Sequence, residues 1–163
     1  MTSISSLIGK PTMHPVLFYS GKIAGYLTWI IFLLILCHVR IIGKQHVNNV
    51  INTLSLIIMM IGFVFLLLSI ISLGRSTRLG LPRAHIDLKT GGIYQISRNP
   101  MYIGFDLLTV SSMLYSGNLI VVVLGLYSIV IYHLIILGEE RFLAARFGEK
   151  YLKYKQSVGR YMF

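Results

Sequence analysis

The chain has 163 residues, of which 55% are hydrophobic and only 12% are charged. Soluble domains carry roughly 25% charged residues, so this composition excludes an ordinary water-soluble domain and points to a bilayer. The 15 Lys and Arg outweigh the 5 Asp and Glu, giving a net charge of +10, but they stand between apolar runs; that placement favours anionic lipid headgroups over nucleic acid as the partner.

Met1 to Lys22 is mixed in character and holds Pro11 and Pro15, so an irregular or interfacial segment is expected there. Ile23 to Val39 is apolar and ends at Arg40. At the helical rise it spans roughly 26 Å, enough for the hydrocarbon core with help from its flanks. No small-residue cleavage site follows it, so no cleaved leader is expected. Its Cys37 is the sole cysteine, which excludes an intrachain disulfide and a cysteine metal site. Ile51 to Leu73 is uncharged and rich in Leu and Ile, and it reads as a second spanning helix.

From Arg75 to Arg98 the character changes. Arg75, Arg78, Arg83, Lys89 and Arg98 alternate with Gly74, Gly80, Pro82, Gly91 and Gly92. A polar, glycine-rich connection of this length is long enough to hold part of a site. Asn99-Pro100 then reads as a helix start, with Asn as N-cap and Pro at the first helical position. Pro100 to Tyr115 is mostly apolar but includes Asp106, Thr109, Ser111 and Ser112, and it is short for a span. Ser116-Gly117-Asn118 reads as a turn, and Leu119 to Leu137 is apolar again, with His133 near its end. The two segments are expected to form a membrane hairpin; a re-entrant third segment is the alternative.

Gly138 to Phe163 is polar, basic and amphipathic. Phe142, Leu143 and Phe147 are expected to form an apolar stripe, Gly148 to interrupt the helix, and Tyr151, Leu152 and Tyr154 to continue the apolar face. The fold class expected is therefore all-α: a polytopic membrane protein with about four transmembrane helices and an amphipathic C-terminal segment, organised as one membrane domain over residues 1–163. With four spans, all but Arg40 and Lys44 of the Lys and Arg fall on one side of the membrane. By the positive-inside rule that side, with both termini, is cytoplasmic.

The polar features converge on that same side. A helix N-terminus at Pro100 offers unpaired backbone N–H groups and the positive end of a dipole, suited to a carboxylate or phosphate. Glu139 and Glu140 are placed to receive hydroxyl or amino donors or to face a cation, although a solvated helix start explains them better when they are taken alone. Tyr102 and Asp106 share a face of the new helix. Asp106 lies roughly 10 Å inside it, where an unpaired charge is costly, and reads either as a functional group or as a hydrogen-bonded packing residue. For His133 the favoured reading is an interhelical hydrogen bond. The residues by themselves lead to a polar pocket at the cytoplasmic interface and do not name a reaction.

Gly91-Gly92-Ile93-Tyr94-Gln95-Ile96-Ser97-Arg98-Asn99-Pro100-Met101-Tyr102-Ile103-Gly104 resembles the G-x-Y-x-x-x-R-[HN]-P-x-Y-x-G signature of the isoprenylcysteine carboxyl methyltransferase family, of which the phospholipid methyltransferases share a looser version. Glu139-Glu140-Arg141-Phe142-Leu143, followed by Phe147-Gly148-Glu149-Lys150-Tyr151-Leu152-Lys153-Tyr154 and Val158, is similar to the family's second motif, E-E-x-x-L with F-G-x-x-Y-x-x-Y. Both motifs occur in order and are separated by one hairpin, and the resemblance covers about the C-terminal half.

The resemblance implies an S-adenosylmethionine-dependent methyltransferase embedded in the membrane of the cell (the plasma or inner membrane in a bacterium). Its cofactor-binding half is residues 74–163, and its hydrophobic acceptor arrives from the bilayer. It further implies that Tyr94, Arg98, Asn99, Pro100, Tyr102, Gly104, Glu139 and Glu140 form the cofactor site, with Tyr151 and Tyr154 as secondary candidates. Arg98 and Glu140 are the catalytic candidates: Glu140 with Glu139 to bind and orient the cofactor, Arg98 to steer a carboxylate. No metal is implied. Asn99 stands where many members have His, which removes a titrating group. The ending Gly159-Arg160-Tyr161-Met162-Phe163 lacks the proline-rich ending common in the family. Two rival readings are an NADPH-dependent membrane reductase of the sterol reductase type, which carries a similar R-H-P-x-Y motif, and a non-catalytic lipid-binding protein.

Overall fold

A computed structural model describes residues 13–37, 39, 48–73 and 88–162. These are helical: α1 (Pro15–Leu36), α2 (Asn49–Leu73), a short 3-10 turn (Gly92–Gln95), α3 (Pro100–Ser116), α4 (Leu119–Phe147) and α5 (Glu149–Ser157). No strand occurs among the described residues. Three helices, α1, α2 and α4, are long and apolar enough to cross a membrane. They make the described chain all-α and polytopic, as the sequence implied.

α2 shows most plainly that the solvent is lipid. Its large side chains face outward, Ile71 being 73% exposed, and its buried residues are Ser55, Gly62 and Ser69. These recur every two turns and so form one stripe of small residues, which lets another helix backbone approach closely. That helix is α3. A Cβ on Gly104 would lie 2.7 Å from Leu66 Cγ and 3.0 Å from the Gly62 carbonyl oxygen. Ser111 donates its hydroxyl to the Ser55 carbonyl at 2.7 Å.

α3 is the interior helix. It packs on α1, α2 and α4 and buries Pro100, Tyr102, Ile103, Gly104, Leu108, Thr109, Ser111, Ser112 and Ser116. Its hydroxyls stay satisfied there: Thr109 donates to the Phe105 carbonyl and accepts from the Trp29 indole of α1, and Ser112 donates to the Leu108 carbonyl. At 17 residues it is roughly 26 Å long. α3 turns into α4 at Gly117, whose φ of 59° is open to glycine at little cost, and Asn118 then caps α4 by accepting the Ile120 N–H at 2.9 Å. The hairpin read from the sequence is thus present. Pairs such as Trp29 with Phe105 and Gly62 with Gly104 run α1 parallel to α3 and α2 antiparallel to it. One end of the bundle therefore gathers the start of α1, the end of α2, the start of α3 and the end of α4.

Several boundaries differ from the sequence reading. α1 starts at Pro15, not Ile23, and ends at Leu36. The segment ending at Lys22 read as irregular or interfacial for its mixed character and its two prolines, yet Pro15 opens the helix and Lys22 is buried, with Nζ 4.1 Å from the Phe18 ring centre. α4 does not stop at Leu137 but continues unbroken to Phe147. It is roughly 44 Å long, more than the ~30 Å hydrocarbon core, so its last turns project beyond it. Gly148, with φ of 51°, does break the helix. In α5, Tyr151 and Tyr154 turn inward, whereas Leu152 is exposed. Residues 1–12, with Pro11, and residues 40–47, with Arg40 and Lys44, lie outside the described residues, as does the 74–87 part of the glycine-rich connection with Arg75, Arg78 and Arg83.

Candidate functional site

The site lies at the bundle end where the 3-10 turn leads into α3. Ile96, Ser97 and Arg98 make a tight entry, with the Asn99 amide donating to the Ser97 hydroxyl at 3.0 Å. Pro100 then occupies the first position of α3, where its missing N–H leaves no helical bond unmade. Asn99 is in the capping position, but its side chain makes no cap hydrogen bond. Its amide Nδ2 instead donates to Glu140 at 3.1 Å and to the Arg160 carbonyl at 3.3 Å. The N-cap role read from the sequence is replaced by a crosslink.

Glu140 is the hub. Arg98 Nε and NH2 donate to its Oε1 at 3.2 and 3.0 Å. Arg160 Nε and NH2 donate to Oε2 at 3.2 and 3.0 Å. One carboxylate is thus held by two planar guanidinium forks and one amide. Two-pronged, charge-assisted contacts of this kind fix orientation as well as lowering energy. Burying a carboxylate is tolerable because every lone-pair direction finds a donor. The Arg98 and Glu140 side chains are each 6% exposed, the Arg160 side chain 33%.

Arg98 reaches further. Its NH1 donates to the carbonyls of Lys155 and Val158. These belong to the C-terminal end of α5, where carbonyls lack helical partners and the dipole is negative, so a guanidinium is favoured there. All three guanidinium nitrogens of Arg98 are therefore engaged by the protein. Tyr154 donates its hydroxyl to the Tyr94 carbonyl, fastening α5 to the 3-10 turn a second time.

Glu139, the neighbour of the hub, points to a different side. The Tyr102 hydroxyl donates to its Oε1 at 2.8 Å. Lys22 from α1 is near enough for its charge to act on Glu139. Tyr102 is 5% exposed and sits in a cluster with Phe18, Ile131, Tyr132, Ile135 and Ile136, against which Phe105 and Tyr161 pack. One turn beyond Tyr102, Asp106 buries its Oδ1 with no hydrogen-bond partner among the described residues. His133 does make a hydrogen bond, 2.6 Å from Nδ1 to the Tyr161 hydroxyl, but to the C-terminal segment and not to another spanning helix.

The structure thus brings together Tyr94, Arg98, Asn99, Pro100, Tyr102, Glu139 and Glu140. Gly104 points elsewhere, into the close crossing with α2. Sequence reasoning missed Ser97, Lys22, Arg160 and Tyr161. For Arg160 a signal existed: a lone charge between Gly159 and the apolar Tyr161-Met162 in a chain with few acids to pair with.

A model of the phospholipid methyltransferase family matches residues 50–150, which hold this junction except for its α1 side, with Phe18 and Lys22, and its C-terminal wall. The chain belongs to that family. No curated protein and no solved structure matches it. Membership implies a methyltransferase acting on membrane lipid-related substrates, and it implies a methyl donor. The matched span covers α2, the 3-10 turn, α3, α4 and the first residues of α5. α1 and the segment carrying Tyr151, Tyr154, Arg160 and Tyr161 lie outside it.

Beyond the saturated Glu140, the junction holds two further acidic side chains suited to a cationic portion of a methyl donor. Glu139 is half-buried, and Asp106 holds an orphaned buried oxygen. Aromatic rings surround them, Tyr102 with Phe105 and Tyr132 at centroid separations of 6.0 and 5.9 Å, and ring faces attract cations.

Proposed function

We propose that the protein transfers a methyl group from S-adenosylmethionine to a hydrophobic, membrane-borne acceptor, at the bundle end where α3 begins and α4 projects from the bilayer. The observation that carries this reading is the junction itself. Two motif segments about 40 residues apart meet through Arg98, Asn99 and Glu140 on one side and Tyr102 and Glu139 on the other. That pairing leaves Glu139 presented beside, and not inside, the saturated ion cluster.

When bound, the donor supplies an electrophilic methyl group on a sulfonium sulfur. Glu139, oriented by Tyr102, binds the cationic portion of the donor. Glu140 has both oxygens engaged and keeps the start of α3 in register with the end of α4. Arg98, read from the sequence as steering a carboxylate, acts in the same way, as a brace for α5. Tyr94, Tyr151 and Tyr154 wall the site and exclude water. Direct displacement at a methyl group draws most of its acceleration from such positioning and exclusion. Acceptors able to attack without a dedicated base include a prenylcysteine-like carboxylate, a thiolate or a lipid amine.

The exposed lysines of α5, Lys150, Lys153 and Lys155, fit contact with anionic headgroups. The charge distribution favours a cytoplasmic site with both termini on the same side.

The test is calorimetric titration of the detergent-solubilised protein with S-adenosylhomocysteine, with NADPH in parallel. Saturable binding of S-adenosylhomocysteine alone is the expected result, and weakening by Glu139→Gln ties it to the site. Binding of NADPH alone would replace this reading with a reductase. Binding of neither to folded protein would make the chain a non-catalytic member of its family.

A further inference from the structure

The segment Val158 to Met162 lies as a strap across the start of α3. Its backbone is held on the α3 side: the Arg98 amide donates to the Gly159 carbonyl at 3.0 Å, and the Ser97 hydroxyl donates to the Arg160 carbonyl at 3.0 Å. Its side chains reach across to α4, Arg160 to Glu140 and Tyr161 to His133. The two guanidiniums on Glu140 are not equivalent. Arg98 is as buried as Glu140 itself and also holds α5, whereas Arg160 is one-third exposed. Water therefore reaches the Arg160 side of the carboxylate first. Loss of that contact leaves the net-neutral Arg98–Glu140 pair tied through Oε1, with Oε2 given over to water, so the Arg160 side chain is able to detach without dismantling the helix junction.

We propose that Arg160 is a positioning residue which, acting through Glu140, holds this strap shut over the site, so that exchange of the methyl donor requires the Arg160–Glu140 pair to open. The proposal rests on the methyltransferase reading above and concerns a residue outside the span matched to the family.

The test compares wild-type protein with Arg160→Gln, Arg160→Lys, Glu140→Gln and the Glu140→Gln/Arg160→Gln double variant. Two quantities are read: the dissociation rate of S-adenosylhomocysteine, and hydrogen exchange at the Arg98 amide in the ligand-free protein, which reports the strap directly. Arg160→Gln is expected to raise both roughly tenfold, the size of losing one charge-assisted, partly exposed tie. Arg160→Lys, which keeps the charge but not the two-pronged contact, is expected to fall between, and it provides the comparison if the glutamine variant does not fold. On the Glu140→Gln background, Arg160→Gln is expected to add little, since its partner charge is already gone. Unchanged exchange and dissociation in Arg160→Gln would overturn the latch. Full additivity with Glu140→Gln would overturn the route through Glu140. Faster exchange in a protein whose wild type binds no donor would instead overturn the methyltransferase reading, and the role in donor exchange with it.

Discussion

Arg98 and Glu140, 42 positions apart in the chain, form a two-pronged ion pair in which both side chains are 6% exposed. Because Arg98 also binds the carbonyls at the end of α5, this one residue couples three elements: the entry to α3, the late turns of α4, and the final helix.

Arg98→Ala is therefore expected to lower stability by about 3–5 kcal/mol, the range for removing one partner of a buried pair. Arg98→Lys is expected to recover only part of this, because an ammonium cannot bond Glu140 and the α5 carbonyls at once. Thermal unfolding in detergent, followed by circular dichroism, checks both.

Tyr102→Phe removes the only hydrogen bond described for Glu139, at 2.8 Å, without altering the packing of the ring. A hydrogen bond to a charged group contributes about 1.5–3 kcal/mol. On the proposed function, the variant should fold normally and lose roughly tenfold or more in turnover. Unchanged turnover would separate the Tyr102–Glu139 pair from the site.

Gly104→Val tests the crossing of α2 and α3. A Cβ there meets Leu66 and the Gly62 carbonyl at or inside 3.0 Å, and the backbone of α2 cannot yield as a flexible side chain would. Destabilisation of about 1–3 kcal/mol is expected from overpacking. The effect should appear as a lowered unfolding temperature, with donor affinity retained in the protein that remains folded.

Tyr154 gives the chain an alkaline limit. Burial first, and then the neighbouring Tyr151 hydroxyl and Glu140 carboxylate, push its hydroxyl from 10.0 up to about 12, with Arg98 opposing. The folded state thus holds this proton more tightly than the unfolded one. Its contribution is fully present below about pH 10 and is lost as the pH rises from about 10 to 12. Tyr94 and Tyr151 shift in the same direction, each through burial first. Alkaline unfolding should be steep across this window, and Tyr154→Phe should make it shallower while lowering stability at neutral pH through loss of the bond to the Tyr94 carbonyl.

The parts of the fold legible in the sequence are those that lipid or backbone geometry dictates. α2 had to be a helix because an uncharged run of that length leaves the backbone no other way to satisfy itself in a bilayer. Gly117 and Gly148 marked breaks because both adopt positive φ. The start of α1 was hidden because Lys22 resembles a boundary, and only the fold supplies Phe18 and Glu139 around it. For the site, the motif residues named the junction but not their division of labour. Glu139 and Glu140 are identical in kind and adjacent, yet one meets a tyrosine and the other two arginines. The strap was illegible because its ties depend on where Gly159 to Tyr161 lie after α5 has turned back, which no periodicity encodes.

The interior placement of α3 bears on how the protein is made. α3 carries Asp106, Thr109, Ser111, Ser112 and Ser116, and a single aspartate at mid-helix opposes insertion by about 2.5–3.5 kcal/mol. On its own it has little reason to leave the translocation channel for lipid. Joined to α4 by the two-residue turn at Gly117-Asn118, it can be carried in by a far more apolar neighbour and received against the small-residue stripe of α2. Placement of α3 is thus expected to depend on α4 and on that short turn, so lengthening the turn should lower the yield of folded protein before any defect in chemistry.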